Sequence, residues 1–157
     1  MQIYPSLWFD DQAEEAANYY VSIFKNSKIL TIARYPAGAP GPEGSVMTVD
    51  FELNGHRINA INGGPQFTFT EAVSLLVDCD SQEEVDEYWA KLTADGGQEV
   101  QCGWLKDKYG LSWQIVPPGF DEMMVTGDPE KSQRAMQAMM QMKKLDVNEL
   151  RRAYNGE

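Results

Sequence analysis

Laid over itself with a shift of 69 residues, this chain repeats: Asp11 meets Asp80, Glu14 meets Glu83, Glu15 meets Glu84, Ala16 meets Val85, Tyr19 meets Tyr88 and Tyr20 meets Trp89. An internal repeat constrains a fold more than any local propensity, because both copies must bury the same apolar face. Each copy carries a short apolar strand, an acidic helix entry and an amphipathic helix. Ser81 and Glu84 match a capping box, and Asp11 is placed to cap the first copy. The carboxylates that follow suit the positive end of a helix dipole. Ala13, Ala16, Tyr20 and Phe24 in one copy, and Val85, Trp89 and Leu92 in the other, recur at steps of three and four, so each helix has one stripe to bury on a sheet.

Strand signals complete each half. Residues 3–9 and 28–35 flank the first helix, and Val46–Leu53 and Arg57–Ile61 are joined at Asn54-Gly55, a strong two-residue hairpin signal. The second half repeats the order with a strand at 72–78, a helix from Ser81 to Ala94, and short strands at 98–102, 104–106 and 112–117. Tyr35 to Gly44 is a loop rich in proline and glycine, either a flap or a solvated connection. Phe120 to Glu157 departs from the repeat and reads as two helices, Pro129 to Lys144 and Val147 to Tyr154. The expectation is an α+β fold of tandem βαβββ modules with curved mixed sheets. The modules span 1–66 and 67–118, and a helical extension, 119–157, completes one compact domain.

Composition narrows the partners. The 157 residues are enough to bury roughly two-thirds of the unfolded surface, so neither metal nor disulfide is required for folding. With 13 basic and 24 acidic residues the net charge is −11, which repels nucleic-acid phosphates and anionic membranes. A small molecule is the expected partner, with no nucleic acid and no membrane. The first ten residues lack the basic region of a signal peptide and no apolar run approaches a membrane span, so the chain reads as cytoplasmic. Cys79 and Cys102 have neither CxxC spacing nor the density of a disulfide scaffold and read as reduced thiols.

The residues also carry a family resemblance. The duplicated βαβββ unit resembles the vicinal-oxygen-chelate (glyoxalase/bleomycin resistance/dioxygenase) superfamily. Asn62-Gly63-Gly64-Pro65-x-Phe67, the run Cys102 to Gln114 and the ending Met140-x-Met142-x-Lys144-Leu145-Asp146 resemble PhnB-like proteins, a family also labelled 3-demethylubiquinone-9 3-methyltransferase. The resemblance implies two curved sheets around a shared cavity, commonly assembled across a homodimer.

The superfamily's metal enzymes take histidine or glutamate from the first strand of each module and a carboxylate from the last, because a divalent metal needs several converging donors. Here the shift of 69 places Pro5 and Ser74 at the first-strand positions, Gln114 at one last-strand position, and Ala60 and Asn62 on the strand that corresponds to it. None is a strong donor, so no metal and no cofactor are expected. His56, the single histidine, belongs at a hairpin tip. The methyltransferase label implies a glycine-rich turn between strand and helix, yet Gly63-Gly64 is followed by Pro65.

What remains is a pocket. Trp8, Trp104, Trp113 and Gln114 are candidates for a concave face, although strand parity lets only one of Trp113 and Gln114 point inward, and Gln114 is preferred. Phe67 and the Asn62-Gly63-Gly64 turn belong at its mouth, where bare backbone can approach a ligand. Lys106 and Asp107 read as a local ion pair, with a polar ligand contact as the alternative. Glu71 and Asp78 bracket a strand, and a general-base role there would require burial. Met136, Met139 and Met140 fall at helical spacing and read as core of the tail or of a subunit contact. The expected ligand-binding set is Trp8, Asn62, Gly63, Gly64, Phe67, Trp104 and Gln114, with no catalytic residue assigned. Three readings stay open: a metal-free homodimer binding a small aromatic or hydrophobic molecule, which leads; an enzyme, whether lyase, isomerase or transferase; and a purely structural protein with a filled cavity.

Overall fold

Alternating covered and open side chains, visible in Leu7-Trp8-Phe9 and Val49-Asp50-Phe51, become two four-stranded sheets in the computed structural model, which describes residues 1–157. The chain divides into two units, Met1–Phe69 and Thr70–Glu157. No helix is long and apolar enough to cross a membrane.

The first unit runs β1 (Ser6–Phe9), α1 (Ala13–Ile23), β2 (Lys28–Arg34), β3 (Val46–Leu53) and β4 (His56–Asn62), with sheet order β1-β4-β3-β2. β1 and β4 are parallel and the other pairs antiparallel. Helix α1 buries Ala13, Ala16, Ala17, Tyr20 and Ile23. Its alanines let the helix lie close to the sheet, and Tyr20 stacks on Phe51 at 6.2 Å. Leu7, Phe9, Val49, Phe51, Leu53, Ile58 and Ala60 form the covered face. Asn54 and Gly55 both have positive φ, 48° and 80°, as the mirror-image hairpin turn requires, and His56 is exposed beside it. One expected cap is corrected: Gln12 precedes the helix without a side-chain bond, and Asn62 at the end of β4, rather than Asp11, accepts the Ala13 N–H at 2.8 Å.

The second unit repeats the order: β5 (Ser74–Asp78), α2 (Gln82–Thr93), β6 (Gln98–Glu99), β7 (Trp104–Lys106) and β8 (Ser112–Val116), arranged β5-β8-β7-β6. Ser81 caps α2 through the Glu84 N–H at 3.1 Å. Glu84 returns one residue further than a capping box requires, accepting the Asp80 N–H at 2.9 Å. The strand expected at 98–102 is only two residues long, because Trp104 N–H turns back to the Gln101 carbonyl. Leu105, Trp113 and Ile115 are buried on the face covered by α2, leaving Trp104 and Gln114 on the other.

Beyond the repeat come a π-helical turn (Glu122–Thr126), which the sequence did not announce, and helices α3 (Pro129–Met139) and α4 (Val147–Asn155). Asp128 and Asp146 cap α3 and α4. Helix α3 ends at Met139 rather than Lys144, because the Gln141 and Met142 N–H groups close tight three-residue bonds onto Ala138 and Met139. Val116, Met123, Met124, Ala135, Leu145, Val147 and Leu150 form a common core here, with Met139 packed against it. Met136 and Met140 stay exposed, so the expected methionine stripe is only partly core.

Lys106 and Asp107 do not pair. Lys106 bridges to Glu71, whereas Asp107 is 2 % exposed and its carboxylate accepts the Tyr109 N–H at 2.9 Å, the Leu111 N–H at 3.1 Å and the Trp113 indole at 2.9 Å. A buried carboxylate is tolerated where donors surround it, and its removal strands those donors. Asp107→Ala is therefore expected to cost the second unit about 3 kcal/mol in urea denaturation. A loss below about 0.5 kcal/mol would show that the turn does not depend on it.

Candidate functional site

The end of β4 and the turn after it build a cleft. Asn62 holds three elements at once: its side chain accepts the Ala13 N–H and donates to the Val46 carbonyl at 3.1 Å, while its own carbonyl accepts the Tyr35 hydroxyl at 2.6 Å. Gly63 N–H donates to Phe9 carbonyl, and Gly64 N–H to Asp10 carbonyl, so the turn runs along the end of β1. The Trp8 indole then donates to Gly64 carbonyl at 2.9 Å, and its ring meets Phe67 edge-on at 5.0 Å. A Cβ on Gly63 would come within 2.2 Å of the Trp8 ring, which explains why glycine stands there.

Opposite this turn, the loop from Pro36 to Gly44 folds onto Tyr35. Its base is tied by Tyr35 N–H to Ser45 carbonyl and Gly44 N–H to Tyr35 carbonyl, both at 2.9 Å. Gly41 lies against the Tyr35 ring so closely that a Cβ would sit 2.4 Å from it. Between loop and turn is a cleft of about 560 Å³ whose walls include Tyr35, Pro40, Pro42, Asn62, Gly63 and Gly64, with Asp10, Asp11 and Glu14 at the α1 end. The hydroxyls of Tyr35 and Ser45 that line it both donate to backbone carbonyls.

Five expected ligand residues thus gather in the first unit: Asn62, Gly63 and Gly64 line the cleft, and Trp8 and Phe67 pack behind the turn. Trp104 and Gln114 are in the second unit, directly paired across β7 and β8. There Gln114 donates to Ser74 Oγ at 2.9 Å on the face away from α2, while Trp113 is buried beneath α2. Tyr35, Gly41 and the carboxylates of the cleft were not among the expected set. The only sequence signal for the first two was a proline- and glycine-rich loop beginning at a tyrosine.

Strand register corrects the proposed correspondence between halves. Ser6 pairs with Asn59 in one sheet as Ser74 pairs with Ser112 in the other, so Ser6 and not Pro5 is the partner of Ser74. The counterpart of Gln114 is Ile61, whose side chain is on the open face, while those of Ala60 and Asn62 point the other way. Ser6 and Ile61 in the first unit, and Ser74 and Gln114 in the second, supply neither an anionic nor an imidazole ligand. Nor does any cluster of three or more His, Cys, Asp or Glu side chains have a geometry that could hold a metal ion. The superfamily's catalytic metal does not fit these residues.

The open face of the first sheet is instead laced by polar bonds. Ser6 Oγ donates to Asn59 Oδ1 at 2.6 Å, Asn59 Nδ2 to Asp50 Oδ1 at 2.7 Å, and Arg57 pairs with the other Asp50 oxygen. Burial works to raise the Asp50 carboxyl, but the hydrogen bonds from Asn59 and Arg57 and the charge of Arg57 hold it below its ordinary value. In the second unit, burial and the charges of Glu84, Asp78 and Asp80 push the Cys79 thiol up to about 12.

Gly63→Ala is expected to displace the Trp8 ring and destabilise the first unit by roughly 1–3 kcal/mol, read as a shifted Trp8 indole signal in NMR and a lowered denaturation midpoint; an unmoved signal would contradict the close approach. The thiols give a second check. Since only a thiolate attacks disulfide reagents, Ellman's reagent at pH 7.5 should modify Cys102, which is half-buried, and reach Cys79 only on unfolding. Two fast thiols in the native protein would count against the burial of Cys79.

A family model described as 3-demethylubiquinone-9 3-methyltransferase matches residues 1–116. Among solved structures, a PhnB protein from Bacillus cereus that carries the same description is 40% identical; the match covers 74% of this chain and 99% of that one, with a TM-score of 0.68. Protein PA1353 from Pseudomonas aeruginosa is 18% identical over 74% of this chain and 97% of its own, with a TM-score of 0.62. The fosfomycin resistance protein FosX from Listeria monocytogenes, solved with Mn(II) and sulfate, is 16% identical over 87% and 97%, with a TM-score of 0.52. These last two share the fold alone. No curated protein matches the chain. The fold contains no strand, glycine-rich turn and helix after Gly63-Gly64, since the next helix is α2.

Proposed function

The chain belongs to the family described as 3-demethylubiquinone-9 3-methyltransferase, the PhnB-like group of the vicinal-oxygen-chelate superfamily, and from that premise we propose that it is a metal-free binding protein for a small aromatic or hydrophobic molecule, working as a cytoplasmic homodimer. The cleft beside Asn62, Gly63 and Gly64 carries this reading. Its volume of about 560 Å³ is in the range of small-molecule sites. Bare backbone on one wall and the Tyr35 ring and prolines on the other suit a flat guest, and the Trp8–Phe67 pair adds an aromatic edge at the turn.

Binding is favoured over catalysis by how the cleft's hydroxyls are used. Tyr35 and Ser45 are both engaged with backbone carbonyls, so neither is paired with a general base as a nucleophile would be. A homodimer is supported by apolar side chains left in the open: Leu30 and Ile32 on the edge strand β2, and Leu76 on the uncovered face of the second sheet. The net charge of −11 is the argument against nucleic acid and anionic membranes as partners.

Native mass spectrometry of the purified protein, with metal analysis of the same sample, should find a dimer without stoichiometric divalent metal. Titration with 2-naphthol, followed by ligand-observed NMR, should saturate without turnover. Phe67→Ala, at a side chain that is 66% exposed and so dispensable for folding, should weaken that binding roughly three- to tenfold. One tightly held divalent ion per subunit, or naphthol binding indifferent to Phe67, would overturn the reading.

A further inference from the structure

The turn that leads into Trp104 is expensive for the chain to hold by itself. Cys102 sits at φ 62°, a left-handed conformation that a residue with a side chain rarely adopts, and Gly103 follows at φ 83°. Both amides are answered from far along the sequence: Cys102 N–H donates to Met142 carbonyl and Gly103 N–H to Lys143 carbonyl, each at 2.8 Å. Gly103 carbonyl in turn accepts the Ile115 N–H at 2.8 Å, which ties the turn to β8. Trp104 is the next residue and pairs with Gln114.

The segment that supplies these carbonyls is itself fastened to α2. Leu145 is fully buried, and a Cβ at Gly103 would be 2.8 Å from its side chain, so leucine and glycine fit only together. Gln82, at the start of α2, grips both sides of Leu145: its Nε2 donates to Leu145 carbonyl at 2.9 Å and its Oε1 accepts the Val147 N–H at 2.8 Å. Lys144 adds an ion pair to Asp86 at 2.7 Å, which lowers the Asp86 carboxyl through that contact first. The segment from Met142 to Val147 lies beyond residue 116, where the family match ends, while the residues it grips lie within the match.

We infer that residues 142–147 are a strap, locked by Gln82 and Leu145, that holds the Cys102–Gly103 turn and thereby positions Trp104 and Gln114 on the open face of the second sheet. The strap makes the helical extension part of the binding apparatus, with Gln82 and Leu145 as positioning residues that touch no ligand. The inference rests on the reading of Trp104 and Gln114 as ligand-binding residues. Its geometry can be tested without any ligand, so failure of the strap and failure of the binding reading are separable.

The test is amide hydrogen exchange, resolved residue by residue by NMR, on the full chain and on Gln82→Ala and Leu145→Ala. Gln82→Ala removes the two hydrogen bonds to the strap, and one to Asp86 within α2, from a half-buried helix position and is expected to leave the fold intact. The Cys102 and Gly103 amides should then exchange roughly tenfold faster and the Trp104 indole signal should shift. The amides of α1 and of the middle of α2 should be unchanged. Leu145→Ala should act in the same direction and more strongly, while Leu145→Met, which keeps the volume, should restore most of the protection. Unchanged exchange at Cys102 and Gly103 in Gln82→Ala, or an equal acceleration across all of α2 and β8, would overturn the strap, since the first denies the grip and the second makes it ordinary stability.

Discussion

One helix covers one face of each sheet, and the two-residue period of a strand then decides which side chain every strand leaves on the other. Because α1 buries Leu7, Phe9, Phe51 and Ala60, the side chains of Trp8, Asp50, Asn59 and Ile61 face away from it. Because α2 is laid over Leu105, Trp113 and Ile115, Trp104 and Gln114 are set on the free face. The candidate ligand residues are thus products of core packing. A slip of one residue in β4 or β8 would exchange the whole set for its neighbours, and the covered face would lose its apolar row.

Two polar side chains connect that layered scheme to the loops. Asn62 spends its carboxamide on α1 and β3 and its carbonyl on Tyr35, so the cleft wall and the helix start are one unit. Asp107 collects two turn amides and the Trp113 indole, so the turn before β8 is pinned to the core beneath α2. Asp107 is buried and tolerated because its donors are local and well placed, whereas Asn62 is half-buried and joins partners far apart along the chain.

In this chain the open face of the first sheet carries Ser6, Asp50, Arg57, Asn59 and Ile61, and that of the second carries Ser74, Trp104 and Gln114. A fold distributes positions, and the residue types at those positions decide the chemistry. In the cleft of the first unit the hydroxyls of Tyr35 and Ser45 serve the backbone, while the Tyr35 ring, the glycines and the carboxylates of Asp10, Asp11 and Glu14 line the open space.

The repeat, the hairpin at Asn54-Gly55, the cap at Ser81 and the apolar stripes of α1 and α2 were legible in the sequence, because each is a local pattern with a local cause. Strand parity alone also separates Trp113 from Gln114. What depended on distant partners was not legible. Asn62 reads as a loop-edge amide until Ala13, 49 residues away, is placed beside it, and Asp107 reads as half of a surface ion pair until Trp113 folds over it. The correspondence of the two halves was off by one residue in the strands because the repeat is carried by the helices, whose register need not be that of the strands they precede. Periodicity and turn chemistry are written residue by residue, so the sequence alone determined the modules and their covered faces. The cleft at Tyr35 and Asn62 and the grip of Gln82 on Leu145 join segments far apart along the chain, and only tertiary structure could decide them.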